Sequence, residues 1–240
     1  MRFVLGVLLT MLPLACSGFS SSTEIGLDAA LDAASEAGAD LASDAASEAG
    51  TDAAALLARL DGGAAVCPDG GTCKHVFVSA KFYPAKMISG AKIGTAAADE
   101  LCGLEAVAAG FGGTWVAWIS DKESVAAINR VGRSEFYLVD GTLALSTSSG
   151  DPAFAHPINL SPFGEPLPNE LVWTSTSVDG RARDDVASSV SCSFWTSVLA
   201  NETGVVGTTS PKSLDTQEWT VSGLLHCDQT ARLYCFQTSL

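Results

Sequence analysis

Between residues 95 and 109, apolar positions return at helical spacing. Ala97, Leu101, Leu104 and Ala108 stand three or four apart, the period of one helix face. Thr95 occupies an N-cap position, and Gly110, Gly112 and Gly113 stop the pattern, so a helix is expected over 95–109. Beyond it the apolar runs are short. Val76-Phe77-Val78 and Trp115-Val-Ala-Trp118-Ile-Ser read as strands. Asp121 stands where it would cap a second short helix from Glu123 to Arg130. Phe136–Val139 and Thr142–Leu145 flank Asp140-Gly141, a pair that accepts the positive φ of a tight type I′ turn, so a hairpin is expected. A loop rich in Pro, Ser and Gly follows from Ser146 to Asn169. Leu171–Trp173, Val190–Cys192, Glu218–Thr220 and Arg232–Phe236 complete the short strands. Two helices, many short strands and long loops argue an α+β fold.

The N-terminal quarter carries a different pattern. Residues 1–15 hold one charge, Arg2, and an apolar run too short for a bilayer, which needs about 20 apolar residues. Charge, length and the small residue before Cys16 fit a signal peptide. Leu-Pro-Leu-Ala-Cys at 12–16 resembles a bacterial lipobox, departing from it at Pro13 and Leu14, where Leu and a small residue are usual. That resemblance implies lipidation of Cys16 and attachment to a membrane; without it the chain would be secreted. Residues 16–63 then read as a lipid-bearing terminus and spacer. Asp-Ala-Ala-Ser-Glu-Ala-Gly occurs at 32–38 and again at 44–50, and residues 17–63 hold nine acids against one base, Arg59. So little apolar surface offsets little chain entropy, and no core is expected there.

Residues 64–240 form one domain on this reading, with all five tryptophans and six cysteines. Its 177 residues are enough for a sizeable core. Periodic aromatics in strands usually pack inward, so the tryptophans are expected in that core. The domain holds 11 Lys and Arg against 18 Asp and Glu, and the bases are scattered. A phosphate-tracking surface needs clustered bases, which argues against nucleic acid. Cys67, Cys73, Cys102, Cys192, Cys227 and Cys235 are an even set behind an export leader, a disulfide framework for an oxidising compartment. Six cysteines allow 15 pairings, and spacing does not choose among them.

The order of landmarks resembles a known family. A helix with one cysteine, a Trp-x-x-Trp-Ile-Ser strand, a long central loop, then Cys192, Trp219, Cys227 and Leu-Tyr-Cys235-Phe looks like a C-type-lectin-like domain. The closer likeness is to the endostatin-like domain of bacterial surface lipoproteins. It rests on Val76–Val78, Leu138–Thr142, Val172–Thr174, Cys192–Thr196 and Arg232–Phe236, and covers about residues 74–238. The resemblance implies Cys102–Cys235 and Cys192–Cys227 bridges, leaving Cys67–Cys73 as a local staple. It also implies non-enzymatic recognition or adhesion at the cell surface, toward an extracellular protein or polysaccharide. The long loop 146–189 would be the recognition surface, with Phe154, Phe163, Arg181 and Arg183 as its ligand-binding residues.

Other chemistries find less in the chain. Calcium lectins of this fold resemble one another in Glu-Pro-Asn or Gln-Pro-Asp and in Trp-Asn-Asp. Here Glu165 and Asn169 are separated by Pro-Leu-Pro, and Trp219 is followed by Thr220 and Val221. Calcium takes six to eight oxygen ligands, so a calcium-assisted lectin stays an alternative reading with an incomplete ligand set. Asp179, Asp184 and Asp185 flank Arg181 and Arg183, which reads as a solvated turn before an ion site. His75, His156 and His226 lack zinc spacing, so no metal or cofactor is expected. No Gly-x-Ser-x-Gly stands in the chain, and pairs such as Glu100/Glu105 are common on solvated faces. An envelope enzyme is the second alternative; no catalytic residue is assigned. The expected location is the bacterial envelope, anchored at the outer membrane.

Overall fold

A computed structural model of the chain describes Cys67 and residues 73–121, 125–183 and 191–240. Cys16, the leader and the spacer lie outside these residues, as do Glu123, Asp184, Asp185 and Val190. The architecture is α+β, with few helices and many short strands. Six strands form the main sheet: β1 (Lys74–Val78), β5 (Thr114–Ala117), β6 (Glu135–Tyr137), β7 (Leu143–Ser146), β8 (Ala153–Phe154) and β13 (Tyr234–Ser239), in the order β5-β13-β1-β6-β7-β8. β1 runs antiparallel to β13 and parallel to β6. A second sheet places β10 (Thr203–Thr208) between β9 (Leu171–Trp173) and β11 (Gly223–His226). Two small ladders pair β2 (Tyr83–Pro84) with β12 (Thr230–Ala231), and β3 (Ile88–Ser89) with β4 (Lys92–Ile93).

Strand alternation divides the core in two. Phe77 and Cys235 face one side of the main sheet; Val76, Val78, Tyr234 and Phe236 face the other. Both faces are covered, so β1 is buried at all four positions from His75 to Val78. On the first side α1 (Thr95–Ala108) packs with Trp115, Trp173 and Trp195; on the second α2 (Ala127–Val131) packs with Trp118, Phe136 and Trp219. All five tryptophans are buried.

Three disulfides cross-link the domain: Cys102–Cys235, Cys192–Cys227 and Cys67–Cys73, with Cα atoms 5.4–5.6 Å apart. They join the residues the family resemblance implies. The first ties α1 to β13, which lies between β5 and β1 in the main sheet.

Several local expectations are corrected. Thr95 does not cap α1; it is the first helical residue, after Gly94, and no side chain caps that end. The buried face of α1 carries Ala97, Ala98, Cys102, Glu105 and Ala106, while Leu104 and Ala108 face outward. The Cys102 bridge selects that face, since its sulfur must meet β13. α2 begins at Ala127, where the Ser120 hydroxyl accepts the amide hydrogen bond at 2.9 Å. The β6–β7 hairpin forms, but its turn is not type I′. Only Gly141 has positive φ (90°), and bonds from Gly141 N–H to Leu138 O and Leu138 N–H to Thr142 O define a three-residue loop. Glu218–Thr220 is no strand, since Gln217–Trp219 is a 3-10 turn. Ser191 bridges Gly204 in isolation, and Cys192 opens a helical turn with positive φ from Cys192 to Trp195 (49–63°).

Candidate functional site

The outward face of α1 forms one wall of a groove of about 170 Å³. Leu101, Leu104 and Ala108 line it from the helix, Ala80, Lys81 and Tyr83 from the segment after β1, and Phe163 from the loop opposite. Leu104 and Phe163 are 58% and 50% exposed. Phe82 and Val107, also exposed, sit beside lining residues in the chain. The lining is largely apolar, as in sites that take an apolar group and orient it by a few polar atoms. Apolar residues gathered at a concave surface are the unusual observation, because single exposed hydrophobics are ordinary.

Two buried charges hold the segment under the groove. Glu105, 6% exposed, accepts hydrogen bonds from Ala80 N–H (2.5 Å), Lys81 N–H (3.2 Å) and Tyr83 O–H (2.6 Å). A buried carboxylate requires such donors, since the charge has left water. Arg232 approaches the same segment, donating to Ser79 O (2.9 Å) and Ala80 O (2.6 Å). Its guanidinium lies 4.0 Å from the centre of the Phe82 ring and pairs with Glu170 at 3.4 Å. Burial, followed by the hydrogen bond and charge of Glu105, pushes the Tyr83 phenol far above its ordinary pKa. Trp173 Nε1 donates to Tyr83 O at 3.0 Å, which fixes the far end. The groove floor is thereby cross-tied by side-chain hydrogen bonds of Glu105, Arg232 and Trp173.

The four loop residues expected to bind together are not brought together. Phe163 stands at the groove. Phe154 belongs to β8, its ring centre 4.1 Å from that of Trp219, so its surface is committed to packing. Arg181 lines a different, polar cavity, and Arg183 lines neither. The separation follows from the loop's internal structure: β8 pairs with β7, and Leu160 bridges Pro166. Asp179 builds a turn, accepting from Ser177 Oγ at 2.8 Å and Arg181 N–H at 3.1 Å. His75 is buried, His156 Nδ1 lies 2.9 Å from Pro157 O, and His226 ends β11 instead of lying in a loop. Among the described residues no three His, Cys, Asp or Glu side chains are grouped to hold a metal ion.

Glu105 departs furthest from its sequence expectation, being 6% exposed. A carboxylate next to a helical stripe reads as solvated, yet this one is a hub of the groove. One signal was available: Glu105 lies three residues after Cys102, on the same helix face. No family model and no curated protein matches the chain.

Proposed function

We propose that this protein is an exported envelope lipoprotein whose C-terminal domain is a non-enzymatic recognition module for an extracellular protein. Cys16 is the lipid-bearing residue on this reading, residues 16–63 the spacer, and 64–240 the binding domain with a C-type-lectin-like, endostatin-like fold. The α+β architecture, the disulfide pairing and the order of the sequence motifs support that fold. An oxidising compartment agrees with three disulfides.

The observation that carries the recognition reading is the apolar groove between α1 and Phe163, on a floor clamped by Glu105 and Arg232. Its lining favours a protein ligand over a polysaccharide, because a sugar has few apolar groups to place between Leu101, Leu104 and Phe163. An aliphatic or aromatic side chain fits that chemistry, and burying one yields about 1.5–3 kcal/mol.

The test is binding of the full chain to immobilised extracellular-matrix proteins and to polysaccharides, with and without chelator. Substitutions Leu104→Asp and Phe163→Asp sit at half-exposed positions and should leave the melting temperature nearly unchanged. Saturable matrix-protein binding, weakened at least tenfold by either substitution and indifferent to chelator, is expected. Binding to polysaccharide alone, with loss on chelation, would favour the calcium-lectin alternative. Protein binding that both groove variants retain would remove the groove from the reading.

A further inference from the structure

A second cavity, of about 360 Å³, shares no lining residue with the groove. Three segments wall it: α2 with the Gly132-Arg133 pair after it, the β7–β8 turn at Gly150 and Asp151, and the turn carrying Asp179 and Arg181. Its size falls within the range of small-molecule sites.

The walls are cross-tied. Thr147, fully buried, donates its hydroxyl to Gly132 O at 2.7 Å and accepts from Ser134 N–H at 2.9 Å. Thr147 O in turn accepts from Gly150 N–H at 3.0 Å, which fixes the β7–β8 turn against the segment after α2. The third wall is seated on α2 by a bond from Ile128 N–H to Gly180 O (3.0 Å). A Cβ on Gly180 would lie 2.6 Å from Ile128 Cβ, so the close seating depends on glycine. The backbone of the three walls is thereby tied together, and the ordering left for a ligand to meet is that of the exposed Arg133 and Asp151 side chains.

Four charged side chains, Arg133, Asp151, Asp179 and Arg181, line these walls. Arg133 reaches over Gly150, its terminal nitrogen 3.9 Å from where a Cβ would stand. Among the described residues neither the Arg133 guanidinium nor the Asp151 carboxylate has a hydrogen-bond or ion-pair partner. Asp179 and Arg181 face the same space, 3.6 Å apart through Oδ2 and Nε. A guanidinium takes a carboxylate in a two-bond fork. Ionised aspartates only accept, so they call for donors on the ligand.

We propose that this cavity binds an acidic saccharide, with the carboxylate of a uronic acid against Arg133 and ring hydroxyls donating to Asp151 and Asp179. A neutral sugar would leave Arg133 unanswered. A free amino acid would satisfy one cation and one anion but leave much of the cavity unfilled. The site needs no calcium and is independent of the groove.

The experiment titrates the full chain, purified in mild detergent, with D-glucuronate, D-glucose and L-glutamate by calorimetry and ligand-observed NMR. Glucuronate is expected to bind at least tenfold tighter than glucose, unaffected by chelator. Arg133→Gln is expected to abolish that preference and Asp151→Asn to weaken glucuronate severalfold. Both side chains are exposed, so unchanged melting of the variants checks that they fold. Equal binding of glucuronate and glucose, a preference undiminished in Arg133→Gln, tighter binding of glutamate, or loss on chelation would each overturn the assignment.

Discussion

Glu105 and Arg232 illustrate how single side chains organise a surface. Each is nearly buried, and each spends its charge on backbone atoms of residues 79–81. A hydrogen bond to a charged group contributes about 1.5–3 kcal/mol, and a buried carboxylate short of a donor loses that much. Tyr83→Phe removes the 2.6 Å bond to Glu105 while keeping the ring. The expected result is a loss of about 1.5–3 kcal/mol in urea unfolding, with the slope of the transition unchanged. An effect below about 0.5 kcal/mol would mean that water replaces the phenol at no cost. The role of Glu105 was hidden in the sequence because a lone carboxylate on a helix usually faces solvent. Arg232 stood inside a recognised motif, but its partners at 79, 80 and 170 are too distant in the chain to be read from spacing.

At the scale of elements, close approach and backbone strain matter more than propensity. Four consecutive residues from Cys192 to Trp195 have φ between 49° and 63°, at about 1–2 kcal/mol per residue for L-amino acids. The turn persists because both ends are held. Cys192 is bridged to Cys227, and the buried Trp195 donates Nε1 to Ser120 O at 3.0 Å. Nothing in the local sequence marks this conformation; the strand expected over Val190–Cys192 meets it at Cys192. Between β10 and the 3-10 turn, Gly207 lies so near Trp219 that a Cβ would sit 1.8 Å from its carbonyl oxygen. Gly207→Ala therefore forces backbone to move and is expected to cost about 3 kcal/mol or more. Gly223, on β11, has open space at the same position. Gly223→Ala is expected to be neutral or to stabilise by up to about 1 kcal/mol. Paired thermal melts decide it; equal effects would contradict the packing of β10 against Trp219.

For the whole molecule, the cross-links have unequal weight. Cys102–Cys235 spans 133 residues, Cys192–Cys227 spans 35 and Cys67–Cys73 spans 6. In the chain-entropy model these closures contribute about 5, 4 and 2 kcal/mol. Double Cys→Ala variants of each pair are expected to lower the melting temperature in that order, the Cys102/Cys235 variant most. A reversed order would show that native-state packing, not closure entropy, sets the ranking. The Cys102 bridge also decides which face of α1 is buried, and so leaves Leu101, Leu104 and Ala108 for the groove.

What the amino-acid sequence determined by itself was local or compositional. It showed the α+β class, a helix after residue 95, the strands at 76–78 and 171–173, the first half of the strand expected over 115–120, the hairpin around Asp140-Gly141, and an even cysteine set. These follow from period, turn chemistry and counting, which depend only on neighbours in the chain. Tertiary structure alone decided the face of α1 that is buried, the left-handed turn at 192–195, and the burial of Glu105. It also separated Phe154, Phe163, Arg181 and Arg183, which the family resemblance had grouped on one long loop, and gathered Arg133, Asp151 and Asp179 from three segments. The physical reason is common to all of these. A side chain's surroundings are set by which distant segments pack against it, and pairing across long, irregular loops has no period for a sequence to display.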